Sequence, residues 1–220
     1  MRVMAGRSRR LEQVSATREA LLAAAEKLFA EHGVHEVANR QISAEAGQGN
    51  NTAVSYHFGT KIDLVRAILR RHAEPIEAGR LRMLEAVGDS TDLRDWVTCS
   101  VRPVTDHLES LGSPSWYARF IAQVTGDPAL HAVAAEEFKT ASPSMRALQD
   151  GLNRCLPHLP AEVHAERAAM TRHLITQMTA ERERALADGQ PTFRDSWSAT
   201  ATGLIDVIVV LWKAPVTREP

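Results

Sequence analysis

Between Val37 and Leu64 the chain collects side chains suited to a polar, anionic partner: Asn50, Asn51, Thr52, Ser55, Tyr56 and His57, with Lys61 just beyond. Asparagine, threonine and serine bond base edges, and tyrosine, histidine and lysine reach phosphate oxygens. Their spacing predicts how they are carried. Val37, Gln41, Ile42 and Ala46 recur at helical intervals, Gly47-Gln48-Gly49 forms a turn, and a short polar helix follows. Two short helices joined by a tight glycine turn suit a helix-turn-helix whose second helix enters a major groove. In that second helix only Val54, Phe58 and Ala53 remain to hold it to its domain. A helix polar over most of its surface is expected where a protein meets a polar partner. The segment reads as a DNA reader.

Other chemistries find little support. Nine histidines are scattered singly, and there is no HExxH, no GxSxG, no phosphate-binding glycine loop and no group of acids at metal spacing. The expectation is therefore no enzyme, no cofactor and no metal. The run Glu181-Arg182-Glu183-Arg184 reads as a solvated face.

The bulk numbers bound the function without giving it. The 220 residues are 44% hydrophobic and 24% charged with a net charge of −1, so an ordinary core is expected and a generally basic nucleic-acid coat is not. The sign is uneven, because Arg2, Arg7, Arg9 and Arg10 fall in the first ten residues without an acid. That segment, 1–14, is expected to be a flexible basic arm that adds phosphate contacts or a simple solubilising tail. Cys99 and Cys155 are far apart and read as reduced thiols. No apolar run approaches the roughly 20 residues that cross a bilayer, and no secretion signal opens the chain, so a cytoplasmic protein without a membrane partner is expected.

The elements that position the reader are helical throughout, and the fold class is all-α. Thr17 is expected to cap a first helix ending at Gly33, with Leu21, Ala24, Ala25, Leu28 and Phe29 as its stripe. Thr60 is expected to cap a long helix to about Val87, bent or interrupted by Pro75. Further helices are expected over 93–111 (disturbed by Pro103), 116–124, 129–140, 144–156, 161–188 and 193–213. Two of these have more apolar surface than one core needs. Trp197, Ala201, Leu204, Ile208 and Leu211 recur at spacings of four, three, four and three, and Met170, Leu174 and Met178 share a face of the preceding helix. They are the candidate faces of a homodimer interface; a central helix of a monomeric bundle is the alternative.

Over Thr17 to about Ile68 the chain resembles the DNA-binding domain of the TetR family of transcriptional repressors. The resemblance rests on Phe29-Ala30-Glu31-His32-Gly33, on the Ile42…Ala46-Gly47 turn and on Tyr56-His57-Phe58-Gly59-Thr60-Lys61. Between Gly47 and Tyr56 the sequence is one residue longer than the commonest family pattern. The resemblance implies an N-terminal three-helix DNA-binding domain at 15–60 and a larger helical effector-binding and dimerisation domain at 61–220. It implies Arg40, Gln48, Asn50, Asn51, Thr52, Ser55, Tyr56, His57 and Lys61 at a double-stranded DNA operator, with the rings of Tyr56 and His57 packed on the domain. For Asn50 or Asn51 the alternative is a helix cap. An unknown small-molecule effector is implied in the middle helices, where Trp96, His107, Trp116, Tyr117, Phe120 and Met145 are candidates; ordinary core aromatics are the alternative. A ligand-independent DNA-binding or architectural protein is the competing function.

Overall fold

A computed structural model describes residues 2–50 and 52–216, with side chains described from residue 12 onward. Ten helices follow one another: α1 (Arg2–His32), α2 (Asn39–Glu45), α3 (Ala53–Phe58), α4 (Lys61–Val87), α5 (Leu93–Leu111), α6 (Tyr117–Gly126), α7 (Pro128–Ala141), α8 (Ser144–Cys155), α9 (Ala161–Ala187) and α10 (Trp197–Lys213). Among the described residues there is no strand. No helix there is long and apolar enough to cross a membrane.

Most boundaries follow local chemistry. Gly33 closes α1 with φ +84°, where a side chain would be strained, and its N–H donates to the Phe29 carbonyl at 3.0 Å. Thr60 and Asp63 cap each other at the start of α4. Asp63 N–H donates to Thr60 Oγ1 at 3.1 Å, and Thr60 N–H donates to Asp63 Oδ2 at 3.1 Å. Asp92 caps α5 by accepting from Arg94 N–H at 2.9 Å. Ser196 caps α10 by accepting from Ala199 N–H at 3.0 Å, so that helix opens at Trp197 rather than at Phe193.

Three expectations are corrected. α1 starts at Arg2, not after a cap at Thr17, so the segment expected as a flexible arm is helical from residue 2. No proline interrupts residues 2–32, and good helix formers dominate them. Of the two effects expected of Pro75, a bend or a break, the break does not occur, since α4 runs through it, and α5 likewise runs through Pro103. The run at 181–184 is only half solvated: Glu181 and Arg184 are exposed, but Arg182 is 8% and Glu183 2% exposed.

The chain forms two compact units. The first comprises residues up to Arg71 together with Arg119–Glu137, and the second comprises His72–Ala118 and the chain from Phe138 onward. Parts of α6 and α7 thus join the first unit. Phe29 and Phe120 stack there with centroids 6.3 Å apart. Glu137 accepts from Arg70 at 2.7 and 2.8 Å. Those partners lie 67 residues away in sequence, so helical periodicity carried no sign of them. In the second unit α10 packs against α5, around Trp96, Val97, Val101, Leu204, Ile208 and Trp212.

Candidate nucleic-acid interface

The turn before the reader is built by backbone bonds. Gly47, with φ +66°, lets Gln48 N–H reach back to the Ser43 carbonyl at 2.8 Å. The Gln48 side chain folds onto the same turn, Nε2 donating to the Ala46 carbonyl at 3.2 Å. Asn50 Oδ1 then accepts from Thr52 N–H at 2.9 Å and from Thr52 Oγ1 at 2.7 Å. Asn50 thus folds the turn leading into α3 as an Asx turn, while the N-cap position itself is held by Thr52. Asn51 lies outside the described residues.

α3 is six residues long, with Ser55 and Tyr56 turned outward. Ala53 and Val54 are buried at 8% and 0% exposure and anchor it. Thr52 and Ser55 are exposed, His57 and Phe58 are half-buried, and Arg18 lies over the Phe58 ring at 4.9 Å. Tyr56 is 80% exposed, which corrects the expectation that its ring packs on the domain. Its ring meets only the edge of His57 among the ring contacts, at 5.1 Å, because the next inward position is already filled by Val54. Arg40 is exposed on α2.

Lys61 is tied down. Its ammonium donates to the carbonyls of Val34 at 3.0 Å and His35 at 3.3 Å, clamping the α1–α2 corner to the start of α4. Two of its three N–H groups are engaged in these bonds, leaving one for a phosphate. His35 in turn meets Asp127 at 2.8 Å. The Asp127 carboxyl is held below the usual carboxylate range by the Leu130 N–H first and His35 second. Asp63 is likewise held low by its bonds to Thr60.

This arrangement has counterparts. Residues 21–68 match the family described as bacterial regulatory proteins, tetR family, and residues 98–209 match the tetracyclin repressor-like C-terminal domain. The chain belongs to the TetR family. It is a transcriptional regulator with a helix-turn-helix DNA-binding part and a helical C-terminal part. Over 89 residues it is 29% identical to the HTH-type transcriptional activator FasR of Mycolicibacterium smegmatis, covering 40% of this chain and 39% of that protein. The match thus spans well under half the length of that curated relative. Among solved structures the fold is similar to the HlyIIR mutant protein, with TM-score 0.59 and 16% identity over 87% of this chain and 96% of that one. It is also similar to the multidrug binding protein EbrR complexed with imidazole, with TM-score 0.51 and 20% identity over 92% and 98%.

Of the six residues expected at a TetR-type effector site, His107 and Tyr117 meet edge to face with ring centroids 5.7 Å apart. Phe120 belongs to the first unit, stacked on Phe29. Met145 is 46% exposed, and Trp116 is half-buried just ahead of α6. Trp96 is buried, donates its indole N–H to the Ser90 carbonyl at 3.0 Å and carries Arg154 over its ring at 5.0 Å. Tyr117 stacks flat on His72 at 3.9 Å, and His72 Nδ1 meets His107 Nε2 at 2.8 Å. His107 lines an open groove of about 490 Å³ between α4 and α5, formed with Pro75, Gly79, Arg82, Pro103 and Asp106.

Most of the residues expected at a dimer face turn into this chain's own core. Trp197, Ala201, Leu204 and Ile208 are buried within the chain against α5, and Leu174, Met178 and Leu211 pack beside them. Only Met170, at 43%, is exposed among the eight. The apolar surface left outside is the opposite edge of α10, Val207 at 57% and Val210 at 68%. With Met170 and Val216 these line a second groove between α9 and α10, of about 560 Å³.

Proposed function

We propose that this chain is a cytoplasmic, non-enzymatic repressor that binds a palindromic DNA operator as a homodimer and leaves it when a small molecule binds. The observation that carries the reading is α3, where Thr52, Ser55 and Tyr56 face outward while Ala53 and Val54 alone are fully buried. One short reader discriminates weakly. Two copies on half-sites about 34–36 Å apart discriminate far better. The exposed apolar strip of Met170, Val207 and Val210 supports a second copy docking on α9 and α10.

The effector part rests on α4, which runs unbroken from residues of the first unit into residues of the second. A small molecule in the groove beside α4 changes operator affinity if it binds the two operator-competent and incompetent states unequally. EbrR, similar in fold, is described in complex with imidazole. A ligand-independent DNA-binding protein is the second reading, favoured by Phe120, stacked on Phe29 in the first unit, and by the exposed Met145.

Selecting bound fragments from random DNA pools tests the first claim, and sedimentation of Val210→Glu beside the unaltered chain tests the second. Palindromic fragments, a dimer, and a monomer for the variant are expected. A random fragment set, or a monomer before any substitution, overturns the reading. Transcription from the selected operator separates repression from activation, the role named for FasR. Heat stabilisation by a compound that also weakens operator binding separates the effector reading from the ligand-independent one.

A further inference from the structure

The pair His72–His107 is not accounted for by DNA contact or by core packing. His72 lies on α4 and is 2% exposed, with the Tyr117 ring of α6 stacked on it at 3.9 Å and 15° between planes. His107 lies on α5, half-buried, and lines the α4–α5 groove. The two rings share one hydrogen bond, Nδ1 to Nε2, of 2.8 Å.

Proton counting decides what this bond can do. With both rings neutral, one nitrogen donates and the other accepts. A first added proton goes to the outer nitrogen of the donor ring, which then donates as an imidazolium, and the bond strengthens. The ring with access to water, His107, is the one that carries this charge at lower cost. A second proton makes both facing nitrogens donors, and the bond is lost to N–H against N–H and charge against charge. The bond therefore tolerates one extra proton and not two, and the titration belongs to the pair rather than to either ring.

The charged groups around the pair come from four helices. Arg82 on α4 lines the groove with His107 and opposes its charge, whereas Asp106 on α5 favours it. Burial raises the Asp106 carboxyl, so that favour weakens in acid. Tyr117 of α6 covers His72, Arg80 of α4 interacts electrostatically with Tyr117, and Glu183 of α9 accepts from Ala118 N–H at 3.2 Å beside it.

We propose that His72 and His107 form a proton-operated latch between α4 and α5, closed by none or one added proton and opened by the second, and that it sets operator affinity through α4. The functional half rests on the DNA-binding reading above. Because α4 begins immediately after the reader, an opened latch loosens the helix that carries the reader's own support.

The experiment titrates the full chain between about pH 8 and pH 5, across the range where histidine changes charge. Ring NMR signals of His72 and His107 are followed, and operator affinity is measured by fluorescence anisotropy on a duplex selected as above. His107→Gln is measured alongside; the other histidines, His57 of the reader among them, are common to both proteins and cancel in their comparison. The expected result is a two-step titration reported by both rings, with affinity falling about fivefold or more, relative to His107→Gln, across the second step. Two independent one-step titrations overturn the latch, and so does a unit melting temperature whose pH profile is the same in both proteins. A two-step titration with identical affinity profiles overturns control of DNA binding. Absence of operator binding at every pH in both proteins sinks the DNA-binding reading instead, while the ring titration and melting profiles still decide the latch.

Discussion

Gly151 lies directly under the ring of Trp96: a Cβ placed on that glycine would stand 2.1 Å from Trp96 Cε3 and 2.3 Å from Cδ2. The glycine is on α8 and the tryptophan on α5, so the flat ring sets how closely those two helices approach. Alanine in a helix interior ordinarily stabilises by about 1 kcal/mol over glycine. Here Gly151→Ala is expected to destabilise by about 3 kcal/mol or more, because neither a buried ring nor a helix backbone yields by an ångström cheaply. Denaturant unfolding measures it, and an unchanged or raised midpoint would show that the ring moves freely.

Tyr56 is exposed and contacts little beyond its neighbour. Tyr56→Phe is expected to leave the melting temperature alone and to weaken binding to every DNA sequence by about 1.5–3 kcal/mol, the range for a hydrogen bond to a charged group. Anisotropy on operator and non-operator duplexes checks both halves. A loss confined to one sequence would move Tyr56 from phosphate to base contact.

Lys61 behaves differently although it follows Tyr56 closely in the chain, at the start of α4. Its ammonium holds the carbonyls of Val34 and His35, so Lys61→Met is expected to cost about 1–3 kcal/mol of stability by leaving them unpaired. The salt slope of DNA binding is expected to change by less than one ion. A slope shallower by a full unit with unaltered stability would make Lys61 a phosphate ligand first.

His164 supplies a pH dependence of stability. Burial pushes its imidazole below the ordinary histidine range, and its ring stands edge-on to Trp212 at 4.7 Å. The unfolded chain then takes up this proton before the folded one does. Stability is complete above about pH 6.5, the unperturbed value, and is lost as pH falls from there through the lower folded value. His164→Phe is expected to flatten that part of the melting-temperature profile. The same acid slope in the variant would assign it to other groups.

The sequence carried the helices well and the surfaces poorly, for a physical reason. Caps and breakers such as Gly33, Thr60 and Asp92 act within four residues, so they are written locally. The reader was legible for the same cause: Val54 and Ala53 point inward because the polar residues around them cannot. What burial face a helix turns inward, by contrast, depends on partners far along the chain. The spacing of Trp197, Ala201, Leu204 and Ile208 marks a packing seam correctly, but nothing in it says whether α5 or a second copy fills the seam. Glu183 reads as solvated until Ser115 Oγ and Ala118 N–H, 68 and 65 residues away, are seen to donate to its carboxylate. The groove-facing role of His107 was hidden likewise, since its partner is 35 residues off.

Because α3 is held by two small apolar side chains, its outward positions contribute almost nothing to the integrity of the unit that displays them. Substitutions at Thr52, Ser55 and Tyr56 can rewrite the preferred sequence while the scaffold stays as sturdy as before. Target choice in such a molecule is free to drift, one lettered position at a time, without ever passing through an unfolded ancestor.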